Sequence, residues 1–412
     1  MGVGPWIDKQ PGRSVRCQAM DRGNQLAFAL VLLANDLHTQ GRRLALERRV
    51  DLGQRRSPIH GRFTRPERVQ IGPVQNGNTH RSSHIGGSSN PIREGIAHVL
   101  GESMDAMDRL ITAMAAEGTI RVHAAVTTKL VARARDRHDC APTAAAALGR
   151  LLTAAALMGG GLKGGQRVVL QVAGDGPLRN LVAEAFLHDG GIGARGYALH
   201  PEIDLPLAHN GKFDIASAVG SGVLQVTRTL ESGQPYTGVV QLVSGEIGDD
   251  LATYFANSEQ TPSVVALGVL ASPEGIVAAG GVIAQLLPGA SDRAIDTLER
   301  AVKALPSVTK LIREGADARG LIQAIAGDLT PKQVRELTVD FVCRCSREKV
   351  EVAVRGLGSD MLEKIVHEQK SQRVVCDYCK RVYELTPQEL AALLHASQNG
   401  FRNSPTIRPL TS

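Results

Sequence analysis

Four of the six cysteines fall within 37 positions near the C-terminus, as Cys343-Arg344-Cys345 and Cys376-Asp377-Tyr378-Cys379. No other feature constrains the chain so tightly. Two close pairs separated by a helical hairpin place four sulfurs at the corners of a tetrahedron, the arrangement a structural zinc ion prefers. The surroundings fit. Ser346 is predicted to cap a helix running to Val354 and stopped by Gly356, so Cys343 and Cys345 lie at a helix N-terminus whose dipole favours thiolate. A second helix fits Asp360–His367. Cys376–Cys379 reads as a turn between Arg373–Val375 and Arg381–Glu384, and Thr386-Pro387-Gln388-Glu389 starts a closing helix. Six cysteines in 412 residues are too sparse for a disulfide-stapled secreted scaffold, so the cluster is a local site.

The C-x-C pair is the unusual item, because it brings two sulfurs close enough for a strained, reducible disulfide. Structural zinc contributes about 10–16 kcal/mol to the folding of a small domain. A disulfide closing three or four residues contributes about 2 kcal/mol. Exchanging one zinc for two such bridges is a large net destabilisation, so oxidation is expected to melt this domain.

Ahead of the cysteines the chain divides by composition. Residues 1–103 carry 15 Lys and Arg against 8 Asp and Glu, whereas the other 309 carry 32 against 33. The basicity is confined to the first quarter, and the rest has no electrostatic footprint for nucleic acid or an anionic membrane. Residues 1–103 lack sustained periodicity and, from Gly53 to Asn90, lack large apolar side chains, so they read as a disordered extension outside the folded protein. The effective start is then Met104 or Met107. The apolar run Leu26–Ala34 is too short to span a bilayer, which needs about 20 residues, and makes a poor signal peptide. A cytoplasmic protein is expected.

From Met104 the pattern becomes that of a folded body. Strands are predicted at Asp108–Met114, Thr119–Val126, Arg167–Ala173, Val223–Leu230, Thr237–Val243, Val264–Leu270 and Gly275–Leu286, with helices at Thr143–Met158 and Asp249–Asn257. The order lacks a regular βαβ rhythm, so the expected class is α+β. After Leu287-Pro288-Gly289 the strands stop. An amphipathic stripe of Ala294, Ile295, Leu298, Ala301, Val302 and Leu305 is followed by short helices at Val308–Arg313 and Ala318–Ala326, and Thr330-Pro331-Lys332-Gln333 reads as one more helix start. Short helices are marginal alone, and the zinc domain is the neighbour expected to hold their stripes. The expected domains are thus a body at 104–287, a metastable helical linker at 288–340, a zinc-binding module at 341–398 and a flexible tail at 399–412.

Cys343-Arg344-Cys345-Ser346-Arg347-Glu348 with Cys376-Asp377-Tyr378-Cys379 resembles the zinc-binding redox switch of the heat-shock protein 33 family of redox-regulated chaperones. Gly174-Asp175-Gly176-Pro177-Leu178, Ala194-Arg195-Gly196-Tyr197, Pro235-Tyr236-Thr237-Gly238 and Gln285-Leu286-Leu287-Pro288-Gly289 are similar to family segments in the family order. The likeness covers about residues 107–396. It implies an α+β N-terminal domain, a helical linker and a small C-terminal redox-switch domain. It implies one zinc per chain held by Cys343, Cys345, Cys376 and Cys379 in a reduced, inactive form. Oxidation then pairs Cys343 with Cys345 and Cys376 with Cys379, releases zinc and unfolds the linker. The active protein, a homodimer, holds unfolding clients without ATP and passes them to ATP-dependent foldase chaperones. The stretch His367–Arg373 is less acidic than the family's usual pattern, which leaves the ligands intact.

Other classes fit the residues less well. A zinc-ribbon nucleic-acid module should be basic, but residues 341–398 carry 9 Lys and Arg against 8 Asp and Glu. A thiol–disulfide oxidoreductase needs C-x-x-C after a strand and opening a helix, and leaves the second pair superfluous. No enzyme is implied. Gly159–Gly165 with Lys163 lacks the Gly-Lys-Ser/Thr of a phosphate loop. Glu246, Asp249 and Asp250 read as a carboxylate-rich helix start, Glu259-Gln260 as structural, and no role is assigned to Cys17 or Cys140.

Overall fold

The computed structural model describes residues 27–30, 107–209, 211–229 and 233–402, with the backbone alone at 27–30 and 397–402. Expectations for the rest of 1–103, Cys17 included, and for the tail past 402 lie outside the described residues. In chain order the elements are β1 (Ala27–Leu30), β2 (Arg109–Ala115), β3 (Ile120–Val126), α1 (Thr128–His138), α2 (Pro142–Gly159), β4 (Arg167–Gly174), β5 (Asn180–His188), β6 (Gly191–Ala198), α3 (Ile215–Val219), β7 (Gly222–Thr229), β8 (Pro235–Gln241), α4 (Gly248–Asn257), β9 (Ser263–Ser272) and β10 (Gly275–Leu286). Then follow α5 (Asp292–Ala304), α6 (Val308–Arg313), α7 (Ala318–Ala326), β11 (Lys332–Phe341), α8 (Arg347–Arg355), α9 (Ser359–His367), β12 (Gln372–Val375), β13 (Val382–Leu385) and α10 (Pro387–Arg402).

Packing divides the described chain into two units. One holds 27–30, 107–345 and 376–381; the other holds 346–375 and 382–402. The first is built on an eleven-stranded sheet in the order β1-β9-β10-β3-β2-β11-β6-β5-β4-β7-β8. Its pairings are antiparallel except β11 with β6, which is the α+β architecture expected. In the second unit β12 and β13 pair antiparallel. There Ser346 caps α8, its hydroxyl accepting from the Lys349 amide, and Thr386 opens α10 in a reciprocal exchange with Glu389.

The first unit has an apolar core on each face of its sheet. Helix α2 starts at Pro142, which suits a first helical position, and is Ala- and Leu-rich. It is buried all round, as a helix apolar on every side must be. Gly160 ends it with ordinary right-handed dihedrals; a Cβ there would meet His123 Nδ1 at 2.7 Å and Leu110 at 2.9 Å. Close approach to β2 and β3, not a turn, demands the glycine.

The second core corrects the expected partner of the linker. Leu298, Val302, Leu305, Val308, Leu321 and Ile325 from α5–α7 pack on Ile111, Val122, Val264 and Val282 of β2, β3, β9 and β10. The sheet, not the cysteine module, covers these apolar stripes. Residues 332–341 also depart from expectation. Thr330 takes a left-handed φ of 47° and, in place of a further helix, β11 inserts between β2 and β6. Strands therefore do not stop at Gly289, and the segment leading into Cys343 is a central strand of the sheet.

Candidate metal centre

The cluster is positioned by two backbone devices. Past Phe341 the Val342 amide donates to the Ala194 carbonyl at 3.0 Å, which carries the end of β11 along β6 and sets Cys343 beside Arg195. The second pair sits on the turn between β12 and β13. There the Lys380 amide donates to the Cys376 carbonyl at 2.8 Å and the Cys376 amide to the Arg381 carbonyl at 2.9 Å. Lys380 holds a φ of 59° in the left-handed region. The tight turn aims amides inward: those of Tyr378 and Cys379 donate to the Cys376 sulfur, and that of Arg381 to Cys379.

All four sulfurs lie within 4.8 Å of one another. The near contacts run between the pairs, Cys343 to Cys376 at 3.7 Å and Cys345 to Cys379 at 3.4 Å. A tetrahedron with metal–sulfur bonds of about 2.3 Å has edges of about 3.8 Å, so the donor set fits a four-coordinate ion. All four cysteines are free thiols. Burial pushes the Cys376 and Cys379 thiols up. A divalent cation deprotonates a coordinating thiol outright, so a bound metal overrides this upward shift. The arrangement suits metal ligation, and a C-x-x-C on a hairpin turn lacks the helix N-terminus an oxidoreductase uses.

Around the sulfurs lies a polar and aromatic clasp that the sequence reading assigned no role. Glu184 on β5, its side chain 2% exposed, receives the Arg195 guanidinium at 2.6 and 2.7 Å and Arg344 at 2.5 Å, with Arg167 at 3.6 Å. Arg195 also reaches the Cys343 sulfur at 3.7 Å and lies 4.0 Å over the Tyr378 ring. Tyr378 packs edge-on against Tyr197 at 5.3 Å, and its carbonyl hydrogen-bonds His138 Nε2 at 3.0 Å. Burial lowers the His138 pKa, so the neutral ring donates to that carbonyl. The knuckle at 376–379 is thus held to β6 and α1 through Tyr378, and the C-x-C through Arg344 and Glu184.

The remaining candidates take structural places. Cys140 is buried, its thiol pushed up to about 12 by desolvation, which makes it inert. Asp250 accepts from the amides of Val243, Ser244 and Ile247, pinning the start of α4, and Glu246 pairs with Arg150. Burial raises Asp249 to about 6. Glu259 pairs with Arg228 at 2.8 Å. Among the described residues no helix is long and apolar enough to cross a membrane.

The family model described as Hsp33 protein matches residues 108–386. A 33 kDa chaperonin of Ruminiclostridium cellulolyticum is 40% identical over 284 residues, 69% of this chain and 96% of its own. One from Staphylococcus aureus is 40% identical over 291 residues, 70% and 98%. The crystal structure of the 33 kDa chaperonin, a heat shock protein 33 homologue, from Thermotoga maritima is 34% identical with a TM-score of 0.65, and the match covers 71% of this chain and all of that one.

Proposed function

The chain belongs to the Hsp33 family of chaperones, and from that premise we propose that it is a redox-regulated, ATP-independent holdase whose switch is the four-cysteine cluster. In the reduced form Cys343, Cys345, Cys376 and Cys379 hold one zinc ion as thiolates. When bound, zinc supplies the crosslink between the end of β11 and the knuckle, with about 10–16 kcal/mol of folding free energy. The single observation that carries the reading is the meeting of four sulfurs within 4.8 Å at the end of a strand that continues the linker.

Activation is a four-electron oxidation. Two thiolates of each pair lose two electrons and form a disulfide, Cys343 with Cys345 and Cys376 with Cys379. One hydrogen peroxide per bridge takes those electrons and two protons to give two waters. The four donors are then consumed and the cluster no longer holds its ion. Each short bridge returns about 2 kcal/mol, so the end of β11 loses its anchor. The linker helices, packed on the sheet through Leu298, Val302 and Leu321, are attached through that strand. Their release uncovers apolar surface on the helices and on the sheet face beneath them, and this surface takes up unfolding clients. The active form is a homodimer that later yields clients to ATP-dependent foldases.

The test is metal analysis with thiol titration before and after peroxide at raised temperature. The reading expects one zinc and six thiols per reduced chain, then no bound zinc and two thiols, Cys17 and Cys140, together with suppression of client aggregation. Holdase activity that appears with all six thiols still free overturns it.

A further inference from the structure

A cavity of 480 Å³ opens on the sheet among residues that share nothing with the cysteine cluster. The register sets Arg121 opposite Gln285 and His123 opposite Ile283 across β3 and β10, so these side chains share one face. Arg228 from β7, Met158 from α2 and Phe255 from α4 also line it.

The charged lining of this cavity is two guanidinium groups, Arg121 and Arg228, against one carboxylate. Its carboxylate, Glu259, is committed to Arg228 through contacts of 2.8 and 2.9 Å. Arg121 has no carboxylate partner among the described residues. His123 is 5% exposed and meets the Thr112 hydroxyl through Nδ1 at 2.9 Å. That hydroxyl has no other acceptor among the described residues, so its proton goes to Nδ1 and the ring proton sits on Nε2. Burial, with the charges of Arg121 and Arg228, lowers His123 to about 4, which keeps the ring neutral. A concave site with convergent donors, an unpaired cation and an apolar wall is built for an anion with an apolar body.

We propose that this cavity binds a small amphiphilic oxyanion, a carboxylate or phosphate monoester whose head lies between Arg121 and His123 and whose apolar body rests on Met158, Phe255 and Ile283. Arg121 supplies a charge-assisted, forked contact, and the His123 Nε2–H fixes the head. The site belongs to the sheet body and stands whether or not the cysteine cluster is a redox switch.

The test is calorimetric titration of the full-length, reduced, zinc-loaded chain with benzoate, phenyl phosphate and inorganic phosphate, with the His123 ring nitrogens followed by NMR. At least one organic anion should saturate one site per chain and shift the His123 ring signals. Arg121→Gln should weaken it about 10- to 100-fold, the scale of one charge-assisted hydrogen bond, while Arg293→Gln on the exposed face of α5 should bind as the parent does. If Arg121→Gln does not fold, the His123 shift in the parent chain decides. No shift with either organic anion at millimolar concentration, or unchanged affinity in folded Arg121→Gln, refutes the site. Binding of inorganic phosphate with neither organic anion refutes the apolar wall and with it the assignment.

Discussion

Tyr378 ties the knuckle to the body through its ring contacts with Tyr197 and Arg195, and its removal isolates the clasp from the ligands. Tyr378→Ala leaves all four cysteines and the carbonyl that meets His138, but deletes the edge-on contact with Tyr197 and the ring under Arg195. The first is worth about 0.5–1.5 kcal/mol and the second about 0.5–2 kcal/mol. Together they come to about 2 kcal/mol, a factor of about 30 in the equilibrium that holds the knuckle on β6. The variant should still bind one zinc at rest. Under a fixed peroxide concentration it should deliver that zinc to a chromogenic chelator up to about 30-fold faster than the parent. Tyr378→Phe, which keeps the ring, should release it at close to the parental rate. A release half-time within twofold of the parent for Tyr378→Ala would show that the clasp does not restrain the switch.

Replacing Cys376 and Cys379 together by Ser should abolish tight zinc binding, read by metal analysis of the purified chain; full zinc retention would remove them from the ligand set. Leu321→Ala, at a side chain 1% exposed between linker and sheet, should cost about 2–5 kcal/mol. It should give holdase activity under reducing conditions, measured as slowed aggregation of a heat-denatured client. The His123 ring has a folded pKa of about 4 against its ordinary value of 6.5. Its contribution is therefore present above 6.5 and lost as pH falls to 4, by about 3 kcal/mol. Denaturant titrations of parent and His123→Gln should differ in pH slope over that window, and parallel slopes would count against a buried neutral ring.

The legible parts of the fold were those whose signals are local. Strands β3, β4 and β10, helices α6 and α7, and the Ser346 and Thr386 caps are written in contiguous periodicity and in caps within four residues. The misses have nonlocal causes. Helix α1 takes its cap from the Asp108 carboxylate, which accepts from the amides of Lys129 and Leu130, some twenty residues on. Strand β6 is absent from the predicted strands because its glycines interrupt the pattern, yet a Cβ at Gly193 would lie 2.7 Å from the Phe186 ring and one at Gly196 2.5 Å from the Val182 carbonyl. Strand β11 hides its period-two pattern of Leu337, Val339 and Phe341 behind a register shift between Gln333 and Arg335 and behind a misleading capping pattern at Thr330. The four sulfurs were legible because ligand spacing is local chemistry. Glu184, Arg195 and Tyr378 were not, because a buried carboxylate shared by Arg195 and Arg344 exists only once β5, β6 and the C-x-C segment are brought together.

The central claim is that loss of the metal centre frees the linker from the sheet. Hydrogen exchange followed by mass spectrometry, on reduced zinc-loaded chain and on peroxide-treated chain with holdase activity assayed in parallel, tests it most directly. The account predicts that amides of α5–α7 and β11 lose protection as zinc leaves and activity rises, while β4 and β5 keep theirs. Protection of residues 292–341 that survives oxidation while activity appears would contradict it.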